Sequence, residues 1–389
     1  MKEIFQLIGR EFKLFFNNKV LRMLFIGAPI MYGFLVGNVY EKGKVTDLPI
    51  VVVDEDRSAM SQKLIQMFTE NEVIRVVSIL GSTDQSRKTA LEKNAPCVVL
   101  IPKGFETQIF LKRYPELTVF VDASNTLTAN FASSAVNLCA ATFKAGIQIE
   151  ALKKQGVPSN IASTQYEPFR TTFIKENIRS GNYLYFMLPG VLLTVFQQVL
   201  LLGLALSFSS EFEKDTFKDL VKKISNPFGL IFVKIAPYVI MSVGILLLYY
   251  GFSVFYRLPL RTEVFPFALA TILFVLAVCF IGILGSILLP NQLKATEVLM
   301  VVATPSFILS GFTWPLSQMP QWVQHVAGII PLTHYLKIYR TLFVEHGDLS
   351  RVAAPMYALL FIAVLCLLLA ASLLYLKIRK LKHTAIPTT

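Results

Sequence analysis

Six apolar stretches of roughly twenty residues each, the span of helix that a bilayer core takes, constrain this 389-residue chain more than anything else in it. They fall at 22–40, 183–207, 232–254, 265–288, 295–312 and 352–376, with Pro29 in the middle of the first. Composition agrees: 54% of residues are hydrophobic, 16% are charged, and mean hydropathy is +0.57. Soluble domains carry about 25% charged residues. The net charge of +12 would suit a nucleic-acid binder. Many of the basic residues flank the spans instead, as the positive-inside rule places them, and no aromatic–basic nucleic-acid module is present.

The chain starts amphipathic. Within residues 1–21, Phe5, Ile8, Phe12 and Phe15 recur at helical spacing, and Lys2, Arg10, Lys13 and Lys19 supply cations. That pattern predicts an interfacial helix, the plain cytoplasmic start of span one being the alternative. No small-residue cleavage site follows span one, so it reads as retained and not as a signal peptide. Six spans put both termini on one side. The N-terminal lysines and Lys377, Arg379, Lys380 and Lys382 put that side in the cytoplasm, with 377–389 as a tail. Residues 41–180 are then external. Arg257 and Arg261 also fall outside, against the rule.

The insert at 41–180 has the size of one domain. Strands are expected at Leu48–Asp54, Ile74–Leu80, Cys97–Pro102 and Leu117–Asp122. Between them come a helix capped by Ser58, one opened by Thr83 or Asp84, and a short one from Phe105 to Lys112. A long helix from about Leu127 to Lys154 follows. Strands alternating with helices predict an α/β domain with a mostly parallel or mixed sheet. Cys97 and Cys139 lie here, either as buried thiols or as one bridge; Cys279 and Cys366 sit within spans.

Tests for chemistry come back empty. A P-loop needs Gly-x4-Gly-Lys-Ser/Thr after a strand, and Gly43-Lys44 lacks both the glycine frame and the hydroxyl residue. No ATPase site and no bound cofactor are therefore expected on this chain. His325, His334, His346 and His383 form no ligand-spaced pair with one another or with a cysteine, so no metal site is expected. Gly-x-Ser-x-Gly is absent. Asp54-Glu55-Asp56 lacks EF-hand spacing and reads as a solvated turn. No enzyme is visible. Lys234, Lys294 and Glu297 lie near inner ends of spans. Snorkelling accounts for the lysines and a helical ion pair for Glu297; a place along a conduit is the alternative.

The last distinctive stretch is 305–340. An apolar helix ends at Ser310-Gly311, and prolines and aromatics follow with almost no charge: Trp314-Pro315, Met319-Pro320-Gln321-Trp322, Pro331-Leu332-Thr333-His334. Proline breaks helices, and Trp favours the membrane–water interface. A re-entrant or interfacial hairpin at 313–340, at the outer mouth of the bundle, is expected; an ordinary external loop is the alternative.

The chain resembles the permease subunits of bacterial ABC exporters of the type-2 permease family, in the branch with a large external domain after the first span. The resemblance rests on Asn291-Gln292 with Ala295, on Pro305 to Gly311, Pro315, Met319-Pro320 with Trp322, and Pro331 to His334 with Arg340. Weaker matches are Arg10-Glu11-Phe12, Pro29, Pro189-Gly190 and Lys234 with Pro237-Tyr238. The resemblance implies an α-helical integral membrane protein of the bacterial cytoplasmic (inner) membrane. It would have six spans, an N-terminal interfacial helix, an outer hairpin and an inserted external α/β domain. It further implies a half-transporter that pairs with an identical or paralogous permease and two separate ATPase subunits, which hold the ATP and Mg. The cytoplasmic loop 208–231 would dock on the ATPase through Glu211, Glu213, Lys214 and Thr216. The family's Arg before the first Glu and Gly before the Thr are here Ser210 and Asp215. The outer hairpin residues Pro305, Ser310, Gly311, Pro315, Pro320, Trp322, Pro331 and His334 would gate the exit or seal the outer end of the bundle. The cargo would be hydrophobic or amphipathic (drug-like, lipid or peptide), and a periplasmic adaptor is a further partner. The rival reading is a membrane receptor or envelope scaffold whose external domain binds a ligand or phage; a membrane-embedded enzyme lacks paired catalytic groups.

Overall fold

The computed structural model describes residues 2–166, 182–259 and 264–384. The closing residues of the insert at 167–180, Arg261 and tail residues 385–389 lie outside them. The chain divides into two units, Met1–Gly43 with Lys175–Thr389, and Lys44–Ile174. Among the described residues, all six helices long and apolar enough to cross a membrane belong to the first unit.

Helix α1 (Lys2–Asn17) turns Leu7 and Phe15 inward, with Ile4 and Ile8 packed beside them. Phe5 is 72% exposed, so the buried stripe does not run through it. At 3.6 residues per turn the stripe is 4, 7, 8, 11 and 15, which places an acid, Glu11, on an apolar face. Residues 1–21 are not one helix. Asn18 breaks the chain, its Oδ1 accepting from the amides of Val20 (3.0 Å) and Leu21 (3.2 Å) to cap α2 (Lys19–Arg22). A π-helical turn, Met23–Gly27, leads into α3 (Ala28–Val39). Pro29 stands in the first turn of α3, where its missing N–H is tolerated. The first candidate span is Lys19–Val39.

The second unit follows as β1 (Leu48–Asp54), α4 (Ala59–Thr69), β2 (Ile74–Leu80), α5 (Ser86–Glu92), β3 (Cys97–Ile101), α6 (Phe105–Phe110), β4 (Thr118–Val121), α7 (Thr126–Lys154) and α8 (Ser159–Tyr166). The sheet order is β2-β1-β3-β4. Strand β1 runs parallel to β2 and β3, and β4 is antiparallel to β3. One face packs Ile50, Val52 and Val99 against Leu64, Phe68 and Val136. The other packs Val51, Val53 and Val98 against Ala95. Burial on both faces is why β1 reads as a continuous apolar run without alternation. Helix α5 opens at Ser86, later than the Thr83 or Asp84 expected. The acidic trio is turn chemistry: Asp54 Oδ1 accepts from the amides of Asp56 (3.1 Å) and Arg57 (2.9 Å), and Oδ2 accepts from Ser61 Oγ at 2.8 Å. Asp56 Oδ2 accepts from the Glu106 amide at 3.0 Å, at the start of α6. Cys97 and Cys139 are buried free thiols, and burial pushes the Cys97 thiol up to about 11.

The first unit resumes with α9 (Tyr183–Glu213), α10 (Phe217–Lys223), α11 (Pro227–Phe255), α12 (Val264–Leu288), α13 (Gln292–Ala303), α14 (Ser306–Leu309), α15 (Gln321–Ile329), α16 (Pro331–Tyr339) and α17 (Leu349–Thr384). Helix α9 is central, packing on α3, α11, α12 and α13. Its approach to α11 depends on Gly203: a Cβ there would stand 2.5 Å from the Tyr238 ring, and Tyr238 Oη donates to the Gly203 carbonyl at 2.8 Å. Three boundaries differ from expectation. Helix α9 continues past 207 to Glu213, α17 carries span six and its tail as one helix to Thr384, and the fifth span is broken at Pro305 between α13 and α14.

Candidate functional site

A helix of 31 residues is about 46 Å long, well beyond a hydrocarbon core of about 30 Å. One end of α9 therefore has to emerge, and its last two turns are polar. Glu211 there is only 2% exposed, because three other elements close over it. Arg10 of α1 forks onto it, Nη1 at 2.9 Å from Oε1 and Nη2 at 3.2 Å from Oε2. Lys234 of α11, 1% exposed, donates to Glu211 Oε1 at 2.7 Å and to both oxygens of Glu11 at 2.9 and 3.0 Å. Arg10 also reaches Glu11 at 3.3 Å. Two cations thus meet two carboxylates, and the cluster balances its own charge. That balance is what makes its burial tolerable, since an uncompensated buried ion is strongly destabilising.

The cluster extends into the segment after α9. Thr216 Oγ1 donates to Glu211 Oε2, and the Thr216 amide donates to the Glu211 carbonyl at 3.0 Å. Asp215 sits in the left-handed region at φ +55°, which turns the chain sharply. Thr216 then stands at the head of α10, which buries Phe217, Leu220 and Val221 and leaves Lys218, Asp219, Lys222 and Lys223 outside. Phe217 meets Phe212 edge-on at 4.8 Å. Two residues on from Glu211, Glu213 Oε2 accepts from the amide (3.0 Å) and the side chain (3.1 Å) of Gln292, the first residue of α13. Lys214, the C-cap of α9, is exposed.

Of the four residues expected in the coupling loop, Thr216 bonds to Glu211, Glu213 bonds to Gln292, and Lys214 is exposed. Glu211 and Glu213, however, are in helix α9 and not in a loop, and Glu211 faces inward. Lys234 does not snorkel: its ammonium points at two carboxylates. The available signal was a lysine inside an apolar helix and an acid on the apolar stripe of α1, each of which calls for a partner. Lys294 and Glu297 are both exposed on α13. Among the described residues the salt bridges do not include a pair between them, so the expected helical ion pair is not formed.

The 305–340 stretch is helical for much of its length. Pro305 precedes α14, and Ser310 closes it, with Oγ donating to the Phe307 carbonyl at 2.6 Å and accepting from the Phe312 amide at 3.3 Å. Gly311 takes φ +76°. The turn aims Phe312 at Phe186 of α9, stacked at 4.6 Å and 5°, and Arg340 Nη2 donates to the Phe312 carbonyl at 3.1 Å. Pro315 leads a 3-10 turn, Leu316–Gln318, and Pro320 leads α15. Pro331 starts α16 buried, and the next amide, Leu332, donates to Gln197 Oε1 of α9 at 3.1 Å. His334 Nε2 donates to the Gly328 carbonyl at 2.8 Å. Trp322 is apart from this packing and 70% exposed. Among the described residues no group of three His, Cys, Asp or Glu is placed to hold a metal.

The family described as "ABC-2 family transporter protein" matches residues 19–372. The chain is 22% identical over 363 residues to "Probable multidrug ABC transporter permease YbhR" of Escherichia coli (strain K12), covering 92% of this chain and 94% of that protein. It is 22% identical over 356 residues to "Inner membrane transport permease YhhJ" of the same strain, covering 87% of each. A 47-residue segment is 43% identical to "Nodulation protein J" of Bradyrhizobium diazoefficiens, covering 12% of this chain and 18% of that protein. With a match through most of its length and six helices able to cross a bilayer, the chain belongs to the ABC-2 family of transporter proteins.

Proposed function

We propose that this chain is the permease subunit of an ATP-driven exporter for a hydrophobic or amphipathic substrate. Two ATPase chains would carry ATP and Mg, and a second permease, identical or paralogous, would complete the conduit. Both termini are assigned to the cytoplasm. The α/β insert is assigned to the periplasm, where it would meet an adaptor protein, and 305–340 to the outer mouth as a re-entrant or interfacial cover of the exit.

The observation that carries the reading is the bonding of Glu211. One carboxylate holds α1 through Arg10 and α11 through Lys234, and is itself held by Thr216 at the head of α10. A partner that moves α10 by its charged outer face therefore moves the anchor of two other helices. Glu213 adds α13 to the set through Gln292. In liposomes with the partner ATPase, Glu213→Ala with Thr216→Ala is expected to leave the complex assembled and to reduce stimulation of ATP hydrolysis and transport together. Unchanged stimulation in the assembled complex would sink the coupling assignment.

A further inference from the structure

Helix α7 of the insert is apolar on two opposite sides. Ala132, Val136, Cys139 and Phe143 pack on the sheet. The other side carries Leu127, Phe131, Ser134, Leu138, Ala141 and Ala145, alternately four and three residues apart. That is the heptad spacing of a seam between two helices. The seam is open, with Leu127 47%, Phe131 41% and Leu138 64% exposed. Lys144 is the only charge from Thr126 to Gln148, so a charged partner would gain little here. The seam is complementary to itself when reversed. Laid antiparallel on a copy of itself about a two-fold axis near residue 136, it pairs Leu127 with Ala145, Phe131 with Ala141 and Ser134 with Leu138 of the second copy. Each layer sets a large side chain against a small one, the pattern by which helix layers interdigitate, and the two-fold axis repeats all three layers. Lys144 falls opposite Thr128 of the second copy and meets no like charge. A parallel pair would stack Phe131 on itself at one end and Ala141 on itself at the other, splaying the helices. The seam is about 27 Å long and about 10 Å wide, so each side offers roughly 270 Å². A free-standing complex takes about 800 Å² per partner. The occupant therefore has to be held nearby already, as a second permease in the same bilayer would be.

We infer that α7 pairs antiparallel with α7 of a second, identical copy of this chain, joining the two inserts. The inference rests on the paired permease proposed above and makes that partner identical. The test uses two full-length copies with different tags, co-expressed and oxidised in the membrane. Phe131→Cys on one copy with Ala141→Cys on the other is expected to give a disulfide-linked dimer. Phe131→Cys on both copies should not, because those two positions lie ten residues, about 15 Å, out of register. Neither should wild type, nor Lys93→Cys with Ala141→Cys. A second pair, Ser134→Cys with Leu138→Cys, reads the packing of the seam. Ala141→Phe on both copies should cut that linkage about tenfold by crowding Phe131, and adding Phe131→Ala should restore it. Co-purification of the two tags before oxidation reads permease pairing separately. Tags that co-purify without a link between positions 131 and 141 overturn the inference and leave the pairing of permeases standing. Tags that neither co-purify nor link overturn both. Linkage of Phe131→Cys to itself makes the seam parallel, and linkage to a different protein gives the seam another occupant; either result overturns the inference. So does linkage that Ala141→Phe leaves unchanged, which would mark chance collision and not a packed seam.

Discussion

Helix α9 is held at its two ends by different physics. Near its start, Phe186 stacks on Phe312, and further along Gln197 caps the backbone of α16. At its far end it is held by four charges, Arg10, Glu11, Glu211 and Lys234. Stacking and backbone capping are satisfied by neighbours fixed in the same fold. The ionic end is satisfied only while three helices keep their relative positions. A junction of that kind responds to displacement of any one member, whereas an aromatic contact tolerates small shifts. Under the proposed function, the ionic end would be the one that transmits motion and the other the anchor.

The largest expected effect breaks the ionic end. Lys234→Met leaves Glu11 and Glu211 buried without their shared cation and should cost about 3–5 kcal/mol, seen as loss of monodisperse protein and a lower melting temperature in detergent. Adding Glu11→Gln to Lys234→Met leaves the forked Arg10–Glu211 pair balanced and should recover much of that stability while coupling stays lost. If the double variant is as unstable as the single one, packing and not charge balance holds this end. Midway along α9, Gln197→Ala strands the Leu332 amide and should cost about 1–3 kcal/mol, measured in the same melt. Gly311→Ala is next. The left-handed backbone at φ +76° adds about 1–2 kcal/mol of strain, and a Cβ would meet Leu316 at 2.5 Å. The smallest effect is Trp322→Ala, within about 0.5 kcal/mol because the ring is exposed. Reduced transport by that stable variant would give the outward tryptophan a functional contact and make the anchor end more than passive.

Much of the architecture was legible because it rests on local rules. The six spans followed from apolar length, and the four strands of the insert from β-branched runs between polar turns. The bounds that slipped did so where context overrides propensity. The polar end of α9 looked like loop, yet its charges are paired, so the helix carries on through Glu213. Phe5 matched helical spacing, but Glu11 had a buried partner and drew the stripe of α1 with it. The ionic cluster itself was illegible as a unit. Arg10-Glu11, Glu211 and Lys234 each appeared in the sequence as separate charges, and only the packing of α1, α9 and α11 brings them together. The outer stretch showed its turns through proline and glycine, while Gln197, an uncharged residue deep in an apolar helix, gave no hint that it caps α16.

The distance along the chain between the members of that cluster has a consequence for synthesis. Glu11 and its partner Lys234 are 223 residues apart. At a translation rate of about 5–20 residues per second, roughly 11–45 s pass between the two leaving the ribosome. Throughout that interval the carboxylate of α1 has no lysine to meet. The break at Asn18 separates α1 from the first candidate span, so the two need not pack in one step. The Glu11–Lys234 contact forms only once α11 has been made, well after α1 itself.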